Sequence, residues 1–473
     1  MIFNSLSFVF FFVAVLIVIS SVDKTIHSIR LRNILLLVAS YFLYGSFNAT
    51  FLLILLYVTI VNYIAPIEIS RNNESRKRIL LVAVVLSLIP LFTYKYLDFF
   101  LKCVVGVSHY PSQLEWVGNL VLPMGISFFT LQALTYTIDV YRGKIDDRQN
   151  FIDVALFVSF FPTILSGPIE KARNLLPQIE RPSGVSLKNI TEGAMVFIYG
   201  LFKKVVIADR LSSYVDWAYG SYDYMYGGTL CLAAVFYSIQ IYCDFSGYSD
   251  MALGVAKCLG FNITRNFSFP YFAVSIKEFW HWWHVSLTSW FTEYVYFSLG
   301  GNRVRLKARW VFNISMVFVL SGLWHGAAWN FLVWGGLHAL YYLIEHFLGL
   351  QKKEFELPKV LRLPSGIVVF ALVTLAWIFF RVSDMEQAAA IIGKMLTFKT
   401  FSVAIGSSAF SFTCNMALLL FFMVIEVLAY RKFLLDERKE LFIHWKDVVL
   451  TVLLLLMVAM FGVQTDHFVY FQF

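Results

Sequence analysis

The chain has 473 residues, of which 59% are hydrophobic and only 14% charged, with a mean hydropathy of +0.70. A soluble domain is nearer half apolar and a quarter charged, so this composition excludes a soluble globular protein and points to a polytopic membrane protein. The formal charge of +8 does not imply nucleic-acid binding, because the Lys and Arg fall in short loops between apolar runs.

The first apolar run, 5–22, has no basic segment before it and no small-residue cleavage site after it, so it reads as a retained span and not as a signal peptide. Further candidate spans lie near 33–48, 51–67, 79–96, 119–140, 151–167, 189–208, 228–258, 272–299, 311–330, 332–349, 365–381, 408–430 and 447–463. Residues 228–299 carry too many polar groups for simple lipid-exposed crossings. Parts of that stretch are expected to be re-entrant, interfacial or buried in the bundle. With no internal repeat and no linker, a single domain over 1–473 is the economical reading.

Basic clusters set the expected orientation. They are Lys24, Arg30 and Arg32; Arg71, Arg76, Lys77 and Arg78; Arg142, Lys144 and Arg148; Arg303, Arg305, Lys307 and Arg309; Lys352, Lys353, Lys359 and Arg362; and Arg431, Lys432, Arg438 and Lys439. Placing them in the cytoplasm leaves an even number of crossings between most of them and puts both termini on the outer face. The five cysteines, 103, 231, 243, 258 and 414, lack ligand spacing and support neither a disulfide framework nor a zinc site.

The residue that carries most information is His325, in Met316-Val-Phe-Val-Leu-Ser-Gly-Leu-Trp-His-Gly-Ala-Ala-Trp-Asn330. A charge at mid-membrane costs about 2.5–3.5 kcal/mol on insertion scales, so ionisable groups there face partners or wet cavities. Imidazole suits general acid or base work near neutrality. The bland alternative is a histidine that only ties neighbouring helices together. Gly322, Gly326, Ala327 and Ala328 let helices or a substrate approach the backbone. Counted from Arg309, His325 lies about 24 Å up a helix, past the midplane.

Five other regions are polar or broken at membrane depth. In Lys277-Glu-Phe-Trp-His-Trp-Trp-His-Val-Ser-Leu-Thr-Ser-Trp290, Glu278, His281 and His284 recur every three residues and are expected to share a helical face. The spacing is not that of a metal helix, and no metal is assigned; an interfacial aromatic belt is the alternative. Tyr242-Cys-Asp-Phe-Ser-Gly-Tyr-Ser-Asp250 offers Asp244, Ser246, Tyr248 and Asp250, together with Asn330, to line a tunnel or orient a substrate, or else to tie helices together. Gly200-Leu-Phe-Lys-Lys-Val-Val-Ile-Ala-Asp209 places Lys203 and Lys204 near a helix end, either snorkelling or holding an anionic group such as a CoA phosphate. Leu122-Pro-Met-Gly-Ile-Ser-Phe-Phe-Thr130 and Phe161-Pro-Thr-Ile-Leu-Ser-Gly-Pro-Ile-Glu170 are broken segments, tolerated where buried or lining a cavity. Nucleotide-hydrolysis and serine-hydrolase signatures are absent.

Taken in order, these six motifs resemble the membrane-bound O-acyltransferase family, in its bacterial branch of polymer acetyl- and D-alanyltransferases. The resemblance implies an all-α enzyme with roughly 11–14 membrane helices, some re-entrant or broken, around a central tunnel, in the cytoplasmic membrane of a bacterium. It implies that His325 is the family's essential histidine and that His284, in its Trp-His-x-Ser-Leu pattern, is the second. At His281 and Trp282 the chain departs from the paired arginines common in the family, and no charge recognition is carried over there.

The ending Phe468-Val-Tyr-Phe-Gln-Phe473 resembles an aromatic motif of D-alanylation partner peptides, which makes 464–473 an outer-face relay in which Tyr470 carries the acyl group. An interfacial anchor is the alternative. The implied donor is acetyl-CoA or another acyl thioester, with no bound cofactor. The implied acceptor is an exported or surface polysaccharide, reached through an extracytoplasmic SGNH-type acetyltransferase. D-alanyl transfer to teichoic acid is the alternative within the fold. A transporter or flippase of a lipid-linked substrate is the alternative from another class, and it is disfavoured by the lack of paired repeats.

Overall fold

The computed structural model describes all residues except 107–113, 148, 352–356, 383, 398–401, 407, 436–444 and 466–473. Arg148, Lys352, Lys353, Arg438, Lys439 and Tyr470 therefore lie outside the described residues. Helices account for the regular structure, with no strand among the described residues. Among the described residues, six helices are long and apolar enough to cross a membrane: Leu6–Ile26, Phe51–Arg71, Arg76–Cys103, Gly227–Cys258, Lys359–Arg381 and Ala409–Phe433. The protein is an all-α, multi-pass membrane protein.

The chain forms two compact units, Met1–Phe197 with Tyr248–Arg265, and Ile198–Gly247 with Asn266–Phe473. In the first unit three helices start at side chains that accept their free N–H groups. Ser5 accepts from Phe8 and Ser28 from Leu31 at the heads of Leu6–Ser21 and Ile29–Gly45, and Asn150 accepts from Asp153 at the head of Phe151–Ser159. Buried polar groups are paired helix to helix. Asn62 donates to Ser87 at 2.8 Å and accepts from Thr137 at 2.7 Å. Each such bond removes the cost of an unpaired amide or hydroxyl in an apolar setting.

One basic residue departs from its expected place in a cytoplasmic loop. Arg32 is only 1% exposed; it lies 3.3 Å from Asp23, donates to the carbonyl of Leu259 at 2.8 Å and sits over the ring of Phe261. It lies inside the helix Ile29–Gly45, so its side chain turns inward and finds a carboxylate. The two broken segments are buried against each other. A Cβ on Gly125, whose φ is +72°, would stand 2.1 Å from the carbonyl oxygen of Ile164, and within the second segment one on Gly167 would stand 2.5 Å from that of Pro162. Only glycine admits this approach.

The 228–299 stretch divides into two kinds of structure. Gly227–Cys258 is one helix of 32 residues, about 48 Å long at 1.5 Å per residue, and most of its apolar window is buried. The stretch after it is broken into the short helices Ile276–Trp282 and Val285–Trp290 and a π-helical turn, Phe291–Tyr296.

In the second unit the helices Lys307–His325 and Trp329–Phe347 form a hairpin. Glycine brings them together: a Cβ on Gly322 would lie 2.2 Å from the carbonyl oxygen of Phe331, and one on Gly335 would lie 2.4 Å from that of Phe318. Asn330 fastens the second arm to the end of Lys359–Arg381, donating to the carbonyls of Phe379 and Val382 at 3.1 and 2.8 Å.

Candidate active site

His325 is the last residue of its helix, at the apex of the glycine-packed hairpin, and is 4% exposed. Its imidazole is enclosed by Trp324, Trp334 and Phe380, with ring centroids 4.9, 5.2 and 5.2 Å away. Gly326 follows in extended conformation, and a Cβ there would meet the ring of Phe331 at 2.0 Å. The turn that presents His325 therefore needs glycine for space.

The ring of His284 lies 6.3 Å from that of His325, centroid to centroid. Two imidazoles at that separation can both reach one small group held between them, since a catalytic proton transfer needs about 2.6–3.2 Å. His284 does not continue the Glu278–His281 face as the three-residue spacing implied. The helix Ile276–Trp282 ends, and His284 takes φ +43° and ψ +53° at the head of Val285–Trp290. A left-handed conformation at a non-glycine residue costs about 1–3 kcal/mol and persists only where the surroundings impose it. His284 is wholly buried, edge-on to Phe245 at 4.7 Å. His281 and Glu278 face elsewhere, and both line the cavity described below.

Asn266 supplies much of the restraint. Its backbone carbonyl accepts from the N–H of Val285 at 3.0 Å, and its Oδ1 accepts from Ser286 at 3.1 Å. The first two N–H groups after His284 are thereby satisfied. Nothing local in the sequence marked this residue. We expect Asn266→Ala to lower turnover about tenfold, in line with a lost bond to a buried donor, and Asn266→Asp, which keeps the accepting oxygen, to recover most of it. Steady-state rates of the three forms check this.

A cavity of about 950 Å³ opens within the second unit. Ile314, Val317, Phe318 and Ser321 form one wall. They recur at helical spacing, and the next position on that face is His325, one turn beyond Ser321. Lys277, Lys359 and Arg362 also line the cavity. The cavity is thus apolar along the His325 helix and carries three cations together with the carboxylates Glu278 and Glu345 elsewhere on its wall. Trp280 closes part of it, and its indole N–H donates to Nδ1 of His338 at 3.3 Å. His338 is wholly buried, with Trp334 packed between it and His325 at ring distances of 4.9 and 5.2 Å. His338 lies in the apolar run 332–349, where an ionisable side chain is itself a signal of a buried partner.

The remaining candidates occupy two other settings. Lys203 and Lys204 are buried in the π-helical turn Lys203–Ala208 and are not among the residues lining the cavity. Lys203 donates to Ser246 at 2.9 Å, and Lys204 lies 2.7 Å from Asp244 and 2.8 Å from Asp209. Glu426, a second residue not anticipated, accepts from the hydroxyls of Tyr199 and Tyr242. In the first unit Tyr248 stacks on Phe3 at 4.7 Å, and Asp250, two residues on, is also buried.

The sequence of this all-helical membrane protein is similar to those of known proteins. The sequence model of the membrane-bound O-acyltransferase family matches residues 36–383. The chain belongs to that family. It is 35% identical over 408 residues to a probable alginate O-acetylase, AlgI, of Pseudomonas aeruginosa, covering 85% of this chain and 76% of that protein. It is 33% identical over 393 residues to a peptidoglycan O-acetyltransferase of Helicobacter pylori, covering 76% and 73%. A teichoic acid D-alanyltransferase of Bacillus subtilis is 27% identical over 293 residues, covering 58% and 69%. The protein is an O-acyltransferase, and this excludes the transporter reading.

Proposed function

We propose that this O-acyltransferase takes an acetyl group from a cytoplasmic thioester, acetyl-CoA, and passes it across the bacterial cytoplasmic membrane for O-acetylation of an exported polysaccharide. The observation that carries this reading is the cavity, apolar along the His325 helix toward the imidazole pair and holding Lys277, Lys359 and Arg362 on its wall. Lys359 and Arg362 belong to a cluster that the positive-inside rule puts in the cytoplasm. The cations suit the phosphates of a CoA-type donor, and the apolar wall suits its thioester arm. The acceptor class follows from the names of the acetylating relatives.

The chemistry needs a base, because a hydroxyl is a weak nucleophile at neutral pH. His325 accepts the hydroxyl proton as the oxygen attacks the thioester carbonyl carbon. The C–O bond forms, the C–S bond breaks, and the proton leaves with sulfur as the thiol. His284 polarises the carbonyl or orients the hydroxyl. Holding both substrates in a dry, fixed geometry supplies further acceleration. The first acceptor hydroxyl is that of Tyr470, on an outer-face C-terminal segment. From it the acetyl group passes to an extracytoplasmic SGNH-type transferase and so to the polymer.

Purified protein in proteoliposomes with radiolabelled acetyl-CoA tests this, with mass spectrometry of the C-terminal peptide. Label on Tyr470 that depends on His325 supports the whole route; turnover that survives Tyr470→Phe removes the relay and keeps the enzyme; consumption of D-alanyl carrier but not of acetyl-CoA moves the donor to the alternative. Replacing Lys359 and Arg362 by Ala is expected to raise KM for acetyl-CoA about tenfold with kcat little changed, the pattern of lost ground-state binding.

A further inference from the structure

Ser321 lines the cavity and is 7% exposed, and its hydroxyl is hydrogen-bonded to no other described residue. The buried helical serines Ser40, Ser87, Ser159 and Ser238 behave differently. Each donates to the carbonyl four residues before it, at 2.8, 2.8, 2.7 and 3.0 Å, the local bond by which a helix satisfies a buried hydroxyl. Thr288 and Thr292, which share the cavity wall with Ser321, are likewise spent on the carbonyls of Trp283 and Thr288. A buried hydroxyl without a partner costs free energy and calls for an explanation. On a cavity wall, the missing acceptor is one that a bound molecule can supply.

Ser321 stands four residues before His325 in the helix Lys307–His325, so the two share a face with their Cβ atoms about 5–6 Å apart. The Cα–Cβ bonds of a helix tilt toward its N-terminus, which brings the His325 side chain back toward the turn that carries Ser321. In acyl transfer the attacking oxygen and the carbonyl oxygen end on one carbon, so the base for the first and the donor for the second have to be neighbours. We propose that Ser321 is a further catalytic residue, whose hydroxyl donates to the carbonyl oxygen of the thioester as charge develops there. The inference rests on the reading of His325 as the base and of the cavity as the donor site. As the acceptor oxygen bonds to the carbonyl carbon, the C=O electron pair moves onto the oxygen held by Ser321, and the acceptor proton passes to His325. The pair then restores C=O, the C–S bond breaks, and sulfur leaves with that proton as the thiol. Ser321 keeps its own proton throughout, and His284 is left to orient the attacking hydroxyl.

The test uses full-length protein in proteoliposomes with radiolabelled acetyl-CoA as probe, comparing wild type with Ser321→Ala, Ser321→Thr and His325→Ala. Acetyl transfer is measured across donor concentrations, and the peptide containing Ser321 is weighed by mass spectrometry after quenching. Ser321→Ala removes one oxygen and leaves the best helix former in its place, so the helix is kept. The expected result is a kcat reduced about 10²-fold, the usual loss for one oxyanion donor, with KM for acetyl-CoA unchanged. Ser321→Thr, which keeps the hydroxyl, should recover to within about tenfold of wild type. A Ser321→Ala kcat equal to wild type, with His325→Ala inactive, overturns the role of Ser321 and leaves the base standing. A loss confined to KM also overturns it, since the hydroxyl then only holds the donor. Acetyl found on Ser321 itself overturns it in favour of a nucleophile. A His325→Ala protein as active as wild type overturns the base and this inference with it.

Discussion

Replacing His325 by Ala is expected to lower acyl transfer by about 10²–10⁴-fold, the usual contribution of a positioned general base. The imidazole is held at the end of a 19-residue helix, boxed by Trp324, Trp334 and Phe380 and facing His284 at 6.3 Å between centroids. The walls of that box, Trp324, Trp334 and Phe380, offer no base, and the other imidazole, His284, is held at its own place by a fixed backbone turn. The loss should fall on kcat with little change in KM for the donor, because His325 lies a turn beyond the cavity wall, where the proposed base would act on the reacting atoms and not on the bulk of the donor. His325→Gln, which fills more of the box than Ala, should be equally inactive, and a cavity effect is thereby separated from a chemical one. His284→Ala should also be severe, and the double variant should lose much less than the product of the two losses, since residues acting as one unit are not additive. Steady-state kinetics on folded, monodisperse protein decide the matter. An active His325→Gln would remove the base assignment.

The second large effect is structural. Gly322→Ala places a Cβ 2.2 Å from a backbone carbonyl oxygen of the facing helix, which no rotamer change relieves. The two arms of the hairpin must separate, at a cost of about 1–3 kcal/mol or more for overpacking, and in lipid close packing is itself what holds helices together. His325 rides on this hairpin, so activity should fall with stability. Gly335→Ala, 2.4 Å from the carbonyl of Phe318, should behave alike. Gly336→Ala is the internal control: no atom lies within 4 Å of its Cβ, and it should be neutral. Survival of monodisperse protein after heating in detergent, compared across the three variants, tests the ordering. A Gly322→Ala protein as stable as Gly336→Ala would show that the hairpin can separate without penalty.

The class of protein, the approximate course of its helices and the two histidines that lie together, His284 and His325, were legible in the chain alone. These are local signals. Twenty apolar residues declare a helix whatever surrounds them, and an ionisable group such as His325 declares itself by being expensive there. Ser5, Ser28 and Asn150 cap the helices that follow them for equally local reasons. The break at Trp283, the positive φ of His284 and the Asn266 clasp were not legible, because helical periodicity alone continues the Glu278–His281 face into His284. The pairings in the interior were not legible either. Arg32 with Asp23 and Leu259, Lys204 with Asp209 and Asp244, and Glu426 with Tyr199, 227 positions away, are choices between many donors and acceptors of the same type. In a low-dielectric interior each buried polar group must find a partner. Which partner it finds depends on which helix packs alongside, and that was decided only by the tertiary structure.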